Sequence, residues 1–524
     1  MRGYLSLVLH AHLPFVRHPE HEQFLEESWL FEAVTETYIP LLQILEGWRR
    51  DGLNVPLTFC LSPTLCSMLM DPLLQRRYER HLNSLIGLAE KEIHRTHWDR
   101  AFRELAWMYH HRFTTIRDSW DTHHGDLVAA FRKFQDEGRI EIITTAATHG
   151  LLPLLADHPP SVRAQIFTAR DHYRSCFGRD PRGIWLPECA YSAGVETFLQ
   201  EANIRWFILD THGVLHARPR PRYGTFAPIY TPNGIAAFGR DYDSSRQVWS
   251  KHEGYPGDPR YRDFYRDVGF DLDFDYVRPH LPSPDTRGFT GLKYYRITGT
   301  TGDKQIYDRG AALQAAAGHA QHFLDCRVEQ ARQVASLLDR QPLVVAPYDA
   351  ELFGHWWYEG PEFLDYFARK LFYDQNTISL ITPGEYLHHH ATNQIATPSA
   401  SSWGEEGYLR VWLNDKNEWI YPHLRVAQER MTMLAQKFPR ATGLKSRALR
   451  QAARELLLAQ ASDWPFILRA GTSPDYARRR VKGHLLRFIA LHDQLTATGV
   501  DEKWLAEAES RDNLFPDVDW SYWK

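Results

Sequence analysis

Apolar residues along this chain gather into short continuous runs, separated by longer segments that carry a helical stripe. About seven runs stand out before residue 390: LSLVLH at 5–10, LTFCL at 57–61, IEIIT at 140–144, GIWL at 183–186, WFIL at 206–209, LVVA at 343–346 and ISLI at 378–381. Near-continuous apolar runs suit parallel strands buried on both faces, whereas one-sided strands alternate. Between most runs lie helical patterns. Over residues 28–50, Leu30, Phe31, Val34, Tyr38, Leu41, Leu42 and Leu45 share one stripe. Residues 161–177 form another such segment, closed by Gly178, a residue type that accepts left-handed backbone at a helix end. Strand and helix in alternation predict a parallel α/β architecture.

The residues just past each run narrow the architecture. His10 and His12 lie at the end of the first, Thr148 and His149 after the third, Glu188 after the fourth, Asp210 and His212 after the fifth, and Asp349 and Glu351 after the sixth. Titratable groups thus recur at C-terminal strand ends, the face on which a parallel barrel builds its active site. The recurrence favours a barrel with one mouth over an open sheet. The stretch between the fifth and sixth runs is too long for a βα loop. Its first half is rich in Pro, Gly and Tyr (RPRPRYGTFAPIYTPNG, then GRDYDSSRQVWSKHEGYPGDPRYRDFYRD), so it is expected to be an inserted subdomain or lid. A polar linker, ATNQIATPSASSWGEEGY, begins at 391. Beyond it, helical patterns at 421–438, 445–461 and 475–496 predict a C-terminal all-α domain. The expected organisation is a barrel over 1–395, with about 213–300 inserted as a lid region, and a helical domain over 396–524 that contributes to the cleft.

Composition adds constraints. The chain has 524 residues and a formal net charge of −4, which argues against nucleic acid or an anionic membrane as partner. Its 17 Trp, 25 Tyr and 27 Phe supply a large core and also flat faces on which sugar rings stack. Five cysteines without a paired C-x-x-C spacing point to free thiols and a cytoplasmic location. The N-terminal apolar run is too short for a signal peptide or a membrane span.

Two stretches share one grammar. In GIWLPECAY (183–191) and APYDAELFGHWW (346–357) a buried run meets a proline, then an acid, then aromatics. Proline cannot donate to a sheet ladder, and aromatic surroundings raise a carboxyl's pKa toward a useful range. Two such acids at one mouth are what glycoside cleavage needs; two buried structural acids are the plainer alternative. HAHLP (10–14) projects two histidines to the same side of a strand. They suit a metal site completed by His149, His212 and Asp349, hydrogen bonding to sugar hydroxyls, or a structural pair.

In order along the chain, HAHLP, THGLLPLL (148–155), GIWLPECAY, APYDAELFGHWW and WGEEGYLRVWLN (403–414), together with ASDWPF (461–466), closely resemble the signature regions of glycoside hydrolase family 57. Length and the helical C-terminal part resemble its α-1,4-glucan branching subgroup. The resemblance implies a distorted (β/α)7 barrel with an inserted small domain and a C-terminal all-α domain. It implies Glu188 as nucleophile and Asp349 as general acid/base of a retaining double displacement on an α-1,4-glucan, which serves as donor and acceptor. It further implies His10, His12, His149, Trp403, Trp412 and Asp463 as substrate-binding residues and Tyr242 as a loop tyrosine at the cleft; Arg262 is added to the substrate-binding set. No cofactor or metal is expected, and the chain is expected to be a monomer or a homodimer. An α-amylase or 4-α-glucanotransferase of the same family differs only in the acceptor. A metal-dependent barrel hydrolase and a non-catalytic glucan-binding protein are the more distant readings.

Overall fold

The computed structural model describes residues 3–249, 253–299 and 302–524. Its centre is a parallel sheet of strands β1 (Gly3–Ala11), β2 (Leu57–Leu61), β3 (Ile140–Thr145), β4 (Gly183–Trp185), β5 (Trp206–Leu209), β6 (Ile229–Tyr230), β7 (Ala236–Gly239), β8 (Leu343–Asp349) and β9 (Ile378–Leu380). Pairing runs β6-β7-β5-β4-β3-β2-β1-β8, and only the β6–β7 pair is antiparallel. The sheet curls until its ends meet. The Asp241 N–H donates to the Val345 carbonyl at 2.8 Å, bridging the β7 end to β8 with one bond instead of a ladder. Val8, Cys60, Ile143, Trp185, Ile208, Phe238 and Val345 pack into one interior cluster. Each comes from a different strand, as the filling of a barrel does.

The distortion has two local causes. On one side β1 pairs β8 along Tyr4–His10. On the other it pairs β9 at Gly3–Leu5 and β2 at Val8–Ala11, so β9 wedges into the gap where β1 and β2 splay. The strand runs through Pro347 to Asp349, in register with β1, although proline was expected to stop it. This edge of β8 meets no ladder, so the missing N–H costs no sheet bond. At β4 the expectation holds: the strand ends at Trp185, and Pro187 begins a 3₁₀ turn.

The ring's seventh strand differs from expectation. The apolar run at 378–381 predicts a ring strand, whereas that place belongs to β7 (AAFG), inside the stretch expected to be an inserted subdomain or lid. Its alanines and glycine carry little strand signal, because strand propensity mostly reports side-chain packing. The excursion between β5 and β8 also has a partner that the sequence pattern did not reveal. Helices Pro72–Arg95 and Arg100–Thr122 form a hairpin after β2 and pack on it. The Tyr109 hydroxyl donates to the Lys293 carbonyl at 2.7 Å, and Glu92 accepts from Tyr276 and Tyr294 at 2.8 Å each.

The C-terminal helices Ile420–Lys437, Gly443–Ala459 and Pro474–Asp493 lie close to their expected spans. Their buried leucines and alanines join the same hydrophobic cluster as Leu5, Leu7 and Leu9 of β1. Among the described residues no helix is long and apolar enough to cross a membrane.

Candidate active site

Glu188 leaves β4 in a left-handed conformation, with φ 61° and ψ 24°. Cys189 (φ 48°) and His149 (φ 55°) are also left-handed. Such geometry is costly for residues with a Cβ and persists where the surroundings over-determine it. Here the surroundings do so from the far end of the chain: the Trp403 backbone N–H donates to the Glu188 carbonyl at 3.0 Å, and Ser462 N–H donates to the His149 carbonyl at 3.1 Å.

The Glu188 carboxylate is built to hold charge. Trp403 Nε1–H donates to Oε2 at 2.7 Å and the Ser462 hydroxyl to Oε1 at 3.2 Å. Burial pushes its pKa up to about 7 against those two donors. Behind it runs a chain of histidines. His10 Nε2 and His149 Nε2 lie 3.0 Å apart, and His149 Nδ1 is 2.8 Å from the Ser462 hydroxyl. Because Ser462 gives its proton to Glu188, it accepts from His149 Nδ1–H. That leaves His149 Nε2 as acceptor and His10 Nε2–H as donor. The His10 Nδ1 is then unprotonated, in accord with its lack of a hydrogen-bond partner. Burial holds both imidazoles well below the ordinary histidine range, so they are neutral. The His10 ring lies parallel to Trp185, with centroids 4.5 Å apart.

His12 behaves differently. Its Nε2 reaches Asp463 at 3.1 Å and its Nδ1 reaches Ser62 at 2.9 Å. Burial lowers its pKa, but Asp463, with help from Glu351 and Glu188, outweighs that and raises it. The carboxylates around this imidazole therefore favour its positive form.

Asp349 ends β8 directly beside His10 of β1. Its pKa is raised well above the carboxylate range, first by burial, then by Glu351 and Glu188; only Arg240 opposes. Glu351 is fixed from two directions, accepting from the His12 backbone N–H at 3.2 Å and from the Tyr38 hydroxyl. Arg240, at the end of β7, is anchored to Asp210 at 3.1 Å and to Ser245 at 2.9 Å. Two donors therefore stabilise the ionised form of Glu188, while Asp349 has carboxylate neighbours and little compensation. The shared charge belongs on Glu188 and the proton on Asp349.

The structure thus brings together Glu188, Asp349, His10, His12, His149, Trp403 and Asp463. Two expected residues sit elsewhere. Trp412 is 1 % exposed and packs behind Trp403 with Leu151 and Ala190; it backs the site and is corrected from a substrate contact to a support. Arg262 has a side chain 1 % exposed, ion-paired to Glu36 at 3.0 Å and stacked over Tyr358. It ties the insertion to the helix after β1 and is likewise corrected, because a desolvated guanidinium that already has a carboxylate partner is not open to a sugar. Tyr242 is 60 % exposed at the start of helix Tyr242–Trp249. Of the expected lid region at about 213–300, residues 250–252 and 300 lie outside the described residues. The end of that helix leans over the site, with Trp249 and Trp403 near-parallel at 6.3 Å.

Ser62, Ser462, Arg240 and Tyr38 escaped the sequence reading. Ser462 lies within ASDWPF and Arg240 within GRDY, so both were in view. Nothing in their type separates a charge-positioning residue from ordinary loop polarity.

The glycosyl hydrolase family 57 model matches residues 6–398, and a model of the 1,4-alpha-glucan branching enzyme C-terminal region matches 423–523. A 1,4-alpha-glucan branching enzyme of Thermococcus kodakarensis is 34 % identical over 99 % of this chain and 78 % of its own length. The crystal structure of a branching enzyme from that organism superimposes with a TM-score of 0.90 at 32 % identity, covering 100 % of this chain and 96 % of that one. The crystal structure of an alpha-amylase, AmyC, from Thermotoga maritima gives 0.93 at 42 % identity, covering 100 % and 99 %.

Proposed function

The chain belongs to glycosyl hydrolase family 57, and on that premise we propose that it is a 1,4-α-glucan branching enzyme. Glu188 attacks the anomeric carbon of an α-1,4-linked glucose while Asp349 protonates the departing oxygen. A covalent glycosyl-enzyme forms and the α-1,4 bond breaks. Asp349, now ionised, takes the proton of a glucan 6-hydroxyl, whose oxygen displaces Glu188 and closes an α-1,6 bond. Retention by this route needs the two carboxyls about 5–5.5 Å apart. The charge assignment supports the roles: the carboxyl with two donors attacks, and the poorly compensated one carries the proton.

One observation carries the choice of branching. The region matching the branching-enzyme C-terminal model is part of the site: Ser462 donates to Glu188 and Asp463 holds His12. His10, His12 and His149 line the donor side, and Trp403 and Trp249 wall the cleft. The buried free thiols favour a reducing cytoplasm, and the chain works there as a monomer or homodimer on a glycogen- or starch-type glucan, without a cofactor.

The second reading is an α-amylase, favoured by the 42 % identity to the Thermotoga maritima amylase. The two differ in whether water or a glucan hydroxyl reaches the intermediate. Incubation with amylose and counting of α-1,6 linkages by NMR decides between them. Branches that accumulate faster than reducing ends are expected; reducing ends alone would overturn the branching reading.

A further inference from the structure

A cleft of about 1450 Å³ opens on the face of the barrel opposite the catalytic residues. Its walls are the N-terminal ends of strands, including Ile140–Ile142 of β3, Arg205 and Trp206 at β5, and β9. Nothing in the proposed reaction uses it, and its side chains form a coherent set. On the floor lies the Glu141 carboxylate, which accepts from the Gly384 backbone N–H at 3.2 Å at a helix start. Burial pushes Glu141 up to about 7 against that bond, Thr382 and Trp206, so further donors would be favourable. Trp206 lies so close over Gly183 that a Cβ there would be 2.3 Å from its ring; the glycine makes room for the indole. At the rim Phe372 is 45 % exposed, and Arg182, Arg205 and Asn376 are exposed. Arg182 and Arg205 are adjacent, the backbone N–H of the second donating to the carbonyl of the first at 2.7 Å. Neither guanidinium is in an ion pair among the described residues.

This lining selects among ligand classes. An anion would meet the arginines but also the carboxylate on the floor. A neutral polyhydroxylated chain suits both signs, because hydroxyls donate to a carboxylate and accept from guanidinium. An exposed ring gives a sugar's C–H face a surface to stack on. The volume exceeds that of an ordinary small-ligand pocket, leaving space for several linked pyranose rings.

We propose that this cleft is a second α-glucan-binding site, built from Glu141, Phe372, Arg182, Arg205 and Asn376, that anchors a long chain away from the point of cleavage. The proposal rests on the α-glucan reading of the active site. The anchor raises the local concentration of polymer without touching the bond that breaks.

The test uses the full chain carrying Glu188→Gln, so that glucan survives, with Phe372→Ala and Arg205→Ala added separately. Both side chains are exposed, and an unchanged melting temperature confirms folding. In native gels containing amylose, each variant is expected to lose retardation by about fivefold in apparent affinity, the scale of one lost stacking or charged hydrogen-bond contact. On the catalytically intact background, KM for long amylose should rise by a similar factor while turnover of maltoheptaose stays unchanged. Retardation equal to the parent's would overturn the proposal. So would retardation abolished by inorganic phosphate but indifferent to maltoheptaose, which would mark an anion site. If the intact enzyme neither binds nor turns over amylose, the α-glucan reading itself fails. If it turns over amylose normally and the variants match it, only the second site does.

Discussion

Glu188 sits in a left-handed turn that its own side chain disfavours, buried enough to resist ionisation, yet holding two donors that favour it. These opposing terms give measurable consequences. Its folded pKa of about 7 lies above the ordinary 4.5, so the native state binds the proton more tightly than the unfolded chain does. The stability from this group is full below 4.5 and is lost as pH rises from 4.5 to 7. Glu188→Gln removes that loss. The variant should gain about 1–3 kcal/mol on the wild type between pH 5 and pH 8, read from denaturant melts at the two pH values. Its turnover should fall by at least about 10³-fold. Trp403→Phe removes the 2.7 Å indole donor and leaves burial less opposed. The acid limb of kcat/KM, which reports the free enzyme, should then move up by roughly half to one pH unit. An unmoved limb would assign that limb to another group.

Among the elements, the segment after β8 is the most tightly specified. It must deliver Asp349 to the mouth, place Glu351 under the His12 N–H and Tyr38, and turn back under helix Gly360–Tyr373. Gly354 permits the turn: its φ is 120°, and a Cβ there would lie 1.8 Å from the Glu36 carbonyl oxygen. Facing it is a π-helical turn, Val34–Tyr38, that interrupts the helix over 28–50; such turns recur at functional sites. The apolar stripe over 28–50 was legible in the sequence, but the widened turn was not, since one extra residue barely shifts the pattern. Gly354→Ala should cost more than about 3 kcal/mol, because left-handed strain and a backbone clash add. The activity of whatever folds should be low, as Asp349 and Glu351 are displaced together. Chemical denaturation alongside amylose turnover checks both.

For the whole molecule, barrel and C-terminal helices share one core. Leu5 and Leu7 of β1 belong to the same cluster as Leu456 and Phe488, and the site is closed by bonds spanning most of the chain, such as His12 to Asp463. Calorimetry should therefore show one unfolding transition. A separate early transition for the C-terminal helices would contradict the shared core. The same reasoning gives the helical region a role in chemistry: without Ser462 and Trp403, Glu188 would lose both hydrogen-bond donors that favour its ionised form.

The sequence by itself determined the parallel α/β class, the strand-end positions of Glu188 and Asp349, the histidines beside them and the helical C-terminal part. Continuous apolar runs and helical stripes are local signals, and local signals survive in one dimension. Tertiary structure decided what depends on residues far apart in the chain. It put β7 instead of β9 into the ring, where closure is set by how the sheet curls and not by propensity. It withdrew Trp412 and Arg262 from the cleft, because exposure is a property of packing. It also separated two similar acids, giving Glu188 the donors and Asp349 the proton, since a carboxyl's charge is fixed by neighbours that the chain brings from hundreds of residues away.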